Sequence, residues 1–109
     1  MTFSWALAAA PAKAMRYRLS RKASEDIANL YLQGRREFGE KQAETYYSGL
    51  ADSLAVLAKF PRMARERVEL DPPVRMHRYQ SHIVIYVIED AGIVILRVRH
   101  GREDWESFP

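Results

Sequence analysis

The sequence predicts an α+β domain: an N-terminal strand, an antiparallel helical hairpin, then three to four antiparallel strands, with the helices packed on one face of the sheet. Three observations carry this reading. Apolar residues recur at helical spacing across residues 23–57, with one break at Gly39. Beyond Pro61 the apolar period changes from helical to two. Turn signals at 71–73, 80–81 and 89–92 then cut the second half into strand-length pieces. A chain of 109 residues without a repeat, linker or low-complexity stretch favours one domain.

The elements follow in order. Residues 1–14 are alanine-rich, precede a second methionine at Met15 and lack a basic leader, so they are read as a flexible N-terminal extension rather than a signal peptide. Residues 15–109 form the domain. In "MRYRLS" bulk and charge alternate, which predicts a short strand. Ser20 is a helix N-cap candidate, and Glu25 and Asp26 lie near the positive end of the helix dipole. Ala23, Ile27, Leu30, Tyr31, Gly34 and Phe38 make one apolar stripe; Gly39 ends that helix. Ala43, Tyr46, Tyr47, Leu50, Leu54 and Leu57 make the stripe of a second helix, stopped before Pro61. So short a break predicts an antiparallel hairpin. Residues 65–70 read as a short edge strand, and 74–79, 82–89 and 93–99 as three consecutive strands. "HIVIYVI" is apolar on both faces and is expected at the sheet's centre.

Composition removes several function classes. There is no cysteine, hence no disulfide, thiolate nucleophile or cysteine-held zinc. The five glycines are scattered and form no phosphate loop. His77, His82 and His100 have no metal spacing, and no cofactor is called for. A net charge of +3 is mild, below that of a nucleic-acid-binding arm. No apolar run approaches the ~18 residues needed to cross a bilayer, and a cytoplasmic location is expected.

What remains is a basic cluster at the end of the most apolar strand, "IVILRVRHGREDW". Alternation puts Ile93, Ile95, Arg97 and Arg99 on one face and Val94, Leu96, Val98 and His100 on the other. Val94, Leu96 and Val98 are the cleaner apolar set, so they are expected to face the helices, with Arg97 and Arg99 outward. Arg75 and His77 share a face with Tyr79; Val74, Met76 and Arg78 share the other. Such a surface suits a phosphodiester, a row of carboxylates on a protein, or a merely solvated sheet face.

Three pieces resemble the ParE toxins of the RelE/ParE toxin–antitoxin superfamily: "YRLSRKASEDIANLY", "FGEKQAETYYSGLADSLAVLAKFP" and "VRMHRYQSHIVIYVIEDAGIVILRVRHGREDW". In this order they cover the chain from about Met15 to Trp105. The resemblance implies a hairpin on an antiparallel sheet, a toxin that inhibits DNA gyrase and blocks replication, and neutralisation by a ParD-like antitoxin of the ribbon–helix–helix type. It further implies a toxin–antitoxin hetero-oligomer, with no sequence-specific nucleic-acid binding and no membrane association.

The superfamily's other branch, the RelE-like ribosome-dependent endoribonucleases, is the alternative. It requires groups that move protons and stabilise phosphate charge. His100 as acid or base, with Arg97 and Arg75 as phosphate clamps, makes an incomplete set, because no lysine follows Lys59 and no tyrosine follows Tyr86. A decayed toxin or non-toxic binding module is a further alternative. The non-enzymatic reading assigns Arg97, Arg99, His100, Arg102 and Trp105 to the target. It assigns Leu30, Tyr31, Phe38 and Tyr46 to the antitoxin as apolar anchors, with Arg75, Arg78 and Arg97 meeting its acidic residues. Trp105 is also suited to covering the open end of the sheet.

Overall fold

Ser20 stands between a strand and a helix and serves both. Its backbone is extended, its hydroxyl accepts from the Ala23 N–H at 3.0 Å, and the same hydroxyl donates to the Leu96 carbonyl at 2.8 Å. Its own N–H donates to the Ile95 carbonyl at 2.9 Å. One side chain thus caps a helix and ties its start to the last strand.

The computed structural model describes residues 4–7 and 16–101. The order is β1 (Ser4–Leu7), β2 (Arg16–Leu19), α1 (Arg21–Phe38), α2 (Glu40–Lys59), β3 (Glu66–Arg67), β4 (Val74–Tyr79), β5 (His82–Glu89) and β6 (Gly92–His100). The helical hairpin and the strands from β2 onward fall where the sequence puts them, although β3 is shorter than the expected 65–70. The N-terminal stretch departs from expectation. Residues 1–14 are left outside the fold by the sequence reading, yet Ser4–Leu7 pairs antiparallel with β2, with Ser4 opposite Leu19 and Leu7 opposite Arg16. The physical reason is that β2 would otherwise present a row of unpaired backbone groups at the sheet edge.

The sheet runs β1-β2-β6-β5-β4-β3, and every pairing is antiparallel except β2 with β6, which is parallel. The first strand of the domain therefore lies beside the last. Between the helices Gly39 has φ 91 and ψ 163, a region open essentially to glycine. It closes α1 by donating to the Arg35 carbonyl and starts α2 by accepting from the Ala43 N–H, both at 3.1 Å.

Both helices lie over one face of the sheet. Ala23, Ile27, Leu50, Leu54, Leu57 and Ala58 meet Val84, Tyr86, Ile93, Ile95 and Val98 in the main core. Tyr86 is fully buried; burial raises its pKa, and its hydroxyl donates to the Pro61 carbonyl at 2.8 Å, fastening the chain that leaves α2. A second apolar cluster, Val74, Ile83 and Ile85 with Leu70, Met76, Val87 and Leu96 around them, is separate from that core.

The facing of β6 corrects the alternation argument. Ile93 and Ile95, expected outward, are in the core beneath the helices, and Leu96, expected inward, belongs to the second cluster. Val94 is buried, but outside the main core cluster. The cause is an irregularity in the β5–β6 ladder. Tyr86 pairs with Ile95 and Ile85 with Arg97, so Leu96 is an extra residue that breaks the period of two. Val98, beyond the break, returns to the core as expected.

Candidate functional site

The turn end of the hairpin, where α1 finishes and α2 begins, stands over the β4–β5 turn and the last residue of β6. Between them lies a groove of about 360 Å³. Its helical wall mixes an apolar strip, Leu30, Gly34, Phe38 and Ala43, with the polar Gln33, Glu37 and Gln42; Tyr46 of α2 meets the polar side formed by Gln80, Ser81, His82 and His100. Gly34 and Ala43 face each other across the two helices: a Cβ added at Gly34 would rest in ordinary contact, 3.8 Å from the Ala43 Cβ. Phe38, 62% exposed, stands at the groove's edge.

The polar side is a chain of rings. The Tyr46 hydroxyl lies 2.7 Å from His82 Nδ1, and the His82 and His100 rings meet edge to face at 5.4 Å. Tyr79 meets Tyr46 in the same manner at 5.2 Å. Burial raises the Tyr46 pKa, a backbone hydrogen bond from Ser81 lowers it, and Tyr79 raises it again, with burial the largest influence. The phenol therefore keeps its proton at neutral pH and donates it to His82 Nδ1 when that nitrogen is unprotonated. The arrangement needs Gly49: a Cβ there would collide with the Tyr79 hydroxyl.

A shallower hollow of about 260 Å³ adjoins the groove, lined by Asp26, Asn29, Arg97, Arg99 and His100 among others. Asp26 dominates it. Its carboxylate accepts from Arg97 Nε at 2.8 Å, from Arg97 Nη2 at 3.0 Å and from the Val98 N–H at 3.0 Å. The side chains of the pair are only 17% and 14% exposed. Asp26 is thus the clasp between α1 and β6, a role that dipole compensation did not anticipate. Arg97 shares the face of Ile85, as alternation suggested, but its guanidinium is not offered to a partner; it is committed to this bidentate bond.

The remaining candidates scatter. Leu30, Phe38, Tyr46 and His100 come together in the groove, and Arg99 lies beside them. Tyr31 is half-buried against Tyr47, ring centroids 6.1 Å apart. Arg75 donates to the Ala64 carbonyl at 2.6 Å, and Arg78 to the Gln80 carbonyl at 3.1 Å. Arg102 and Trp105 lie outside the described residues. Sequence reasoning missed His82, Tyr79 and the clasp role of Asp26. The 89–92 hairpin held a signal for His82, since its register runs back to the end of β6; without the extra Leu96 that register names Arg99, not His100. Among the described residues no group of three or more His, Asp or Glu could hold a metal, and no helix is long and apolar enough to cross a membrane.

These features define a class: a small α+β domain with a helical hairpin on a mixed sheet and a half-apolar groove at one end. The model of a family described as "ParE toxin of type II toxin-antitoxin system, parDE" matches residues 17–105. Toxin ParE1 of Caulobacter vibrioides is 30% identical over 84 residues, covering 77% of this chain and 86% of that protein. A solved structure titled "Chromosomal ParDE TA system from P. aeruginosa" superposes with a TM-score of 0.64 at 20% identity, over 75% of this chain and 90% of that one, and shares the fold. The chain belongs to the ParE toxin family of type II toxin–antitoxin systems.

Proposed function

We propose that the chain poisons DNA gyrase by binding it, without covalent chemistry of its own, and that a ParD-like antitoxin of the ribbon–helix–helix type neutralises it. The observation that carries this reading is the state of the two arginines a phosphodiester site would use as clamps. Arg97 is held by Asp26 and Arg75 by the Ala64 carbonyl. Both guanidiniums serve the fold, and a protein that acts by docking has no need of them as clamps. The groove suits an antitoxin segment that orders on binding, its apolar side chains against Leu30, Phe38 and Tyr46. The test is a supercoiling assay with purified gyrase. Inhibition at stoichiometric toxin, relieved by the product of the adjacent reading frame, is expected; unimpaired supercoiling overturns the reading.

One observation favours the ribonuclease alternative: Tyr46, His82 and His100 stand in line at the groove's polar end, and two imidazoles and a phenol are groups that move protons. Primer extension on cellular mRNA after induction separates the two. Codon-dependent cuts that vanish in His82→Ala or His100→Ala would establish ribonuclease chemistry. A chain that yields neither cuts nor gyrase inhibition is a decayed toxin.

A further inference from the structure

The far end of α2 carries a surface that the groove does not use. Val56 is 46% exposed, Phe60 57% and Met63 52%. With Lys59, Pro61 and Arg62 they line one shallow hollow. The backbone fixes this geometry: Phe60 N–H donates to the Val56 carbonyl at 2.9 Å, and Met63 N–H to the Phe60 carbonyl at 3.0 Å. Lys59 Nζ lies 5.8 Å from the centroid of the Phe60 ring, which keeps a positive charge beside the exposed aromatic face. None of the three apolar residues belongs to either core cluster. A contiguous apolar patch with a charged rim marks an interaction site.

We propose that this patch is the surface on which the toxin docks its target, and that the target presents there an apolar side chain flanked by carboxylates. The proposal rests on the toxin reading above. Charge selects the occupant: the hollow is lined by two cations and no acid. Nucleic-acid interfaces are far more basic and polar than a surface centred on three apolar side chains. Lipid binding calls for a whole amphipathic helix face rather than one helix end. The patch is also remote from the antitoxin groove. Tyr46 in the groove and Phe60 in the patch are separated by about 21 Å along the helix axis, at ~1.5 Å per residue. Toxicity and antitoxin capture are therefore separable by mutation.

The test uses the full chain, induced in cells and co-expressed in parallel with the tagged antitoxin from the adjacent frame. One variant is Phe60→Ser with Met63→Ser; the other is Lys59→Glu with Arg62→Glu. Circular dichroism melts establish that each folds, and if the apolar variant does not, the charge variant decides. Both variants are expected to need about tenfold more toxin for growth arrest, the ratio that accompanies loss of ~1.4 kcal/mol of binding, while still co-purifying with antitoxin. Arrest at the parent level by the folded apolar variant, or by the charge variant where the apolar one does not fold, overturns the proposal. So does loss of antitoxin capture together with toxicity, which would give the patch to the antitoxin. An effect confined to the apolar variant overturns the acidic character of the partner. Sedimentation that shows a dimer abolished by the Phe60 and Met63 changes makes the patch a self-association surface and overturns target docking. A parent chain that arrests nothing sinks the toxin reading itself, and this inference with it.

Discussion

Asp26 accepts three hydrogen bonds while mostly shielded from water, so its loss strands a guanidinium and a backbone N–H together. Asp26→Ala is expected to lower unfolding free energy by about 2–4 kcal/mol, read as a shifted urea midpoint at unchanged slope. The ring chain behaves differently. Tyr46→Phe keeps the packing against Tyr79 and His82 but removes the hydroxyl that pairs with Nδ1, so it should cost only about 0.5–1.5 kcal/mol. Its clearer mark is an NMR shift of the His82 ring nitrogens; unchanged shifts would show that the hydrogen bond does not form. His77 supplies a pH signature. Burial pushes its pKa below the ordinary 6.5, so the unfolded chain binds a proton that the folded chain resists. The stability tied to His77 is full above pH 6.5 and is lost as pH falls through the lower folded value. Comparing urea midpoints of the parent and His77→Gln between pH 7.5 and 5, taken at roughly half-unit steps, should show a gap that changes in that direction as pH falls; parallel curves would refute it.

At the scale of elements, the hairpin was legible because helices of 18 and 20 residues sample their apolar stripe many times over, so one ambiguous position changes nothing. Gly39 was legible as a break, and the structure adds why glycine is required there. Gly39→Ala, with φ 91, is expected to cost about 1–3 kcal/mol. At ~4–8 °C per kcal/mol that is a plain drop in Tm; an unchanged Tm would mean that the hairpin joint can take another backbone form. Gly49→Ala acts within α2 instead, displacing Tyr79 from its place beside Tyr46. Its ring contacts should loosen even though alanine favours helix. Strand facing was less legible for a specific reason. A period-two argument holds only while the ladder is regular, and Leu96 resets it. The assignments of inside and outside from Ile93 to Leu96 inherited that error; Arg97 and Val98, beyond the break, keep the faces that alternation gave them, and what alternation missed is that Asp26 takes up the Arg97 guanidinium.

For the whole molecule, the fold class was readable from local pattern, but the groove was not, because it is made where α1, α2, the β4–β5 turn and β6 converge. Leu30, Phe38 and Tyr46 were reachable as stripe residues left over from packing. His82 needed the register of a hairpin that contains an extra residue. The exposed residues at the end of α2 carry no periodic signal, since a helix end is where the apolar stripe stops having meaning. The same convergence has a consequence in time. β2 leaves the ribosome early, but its parallel partner is β6, and Ser20, which starts α1, is tied to Ile95 and Leu96. That seam therefore cannot close until β6 has been synthesised, seconds later at roughly 5–20 residues per second. High contact order of this kind slows folding further. A nascent chain that stops short of β6 has its hairpin but nothing to hold the start of α1, so it cannot complete this fold.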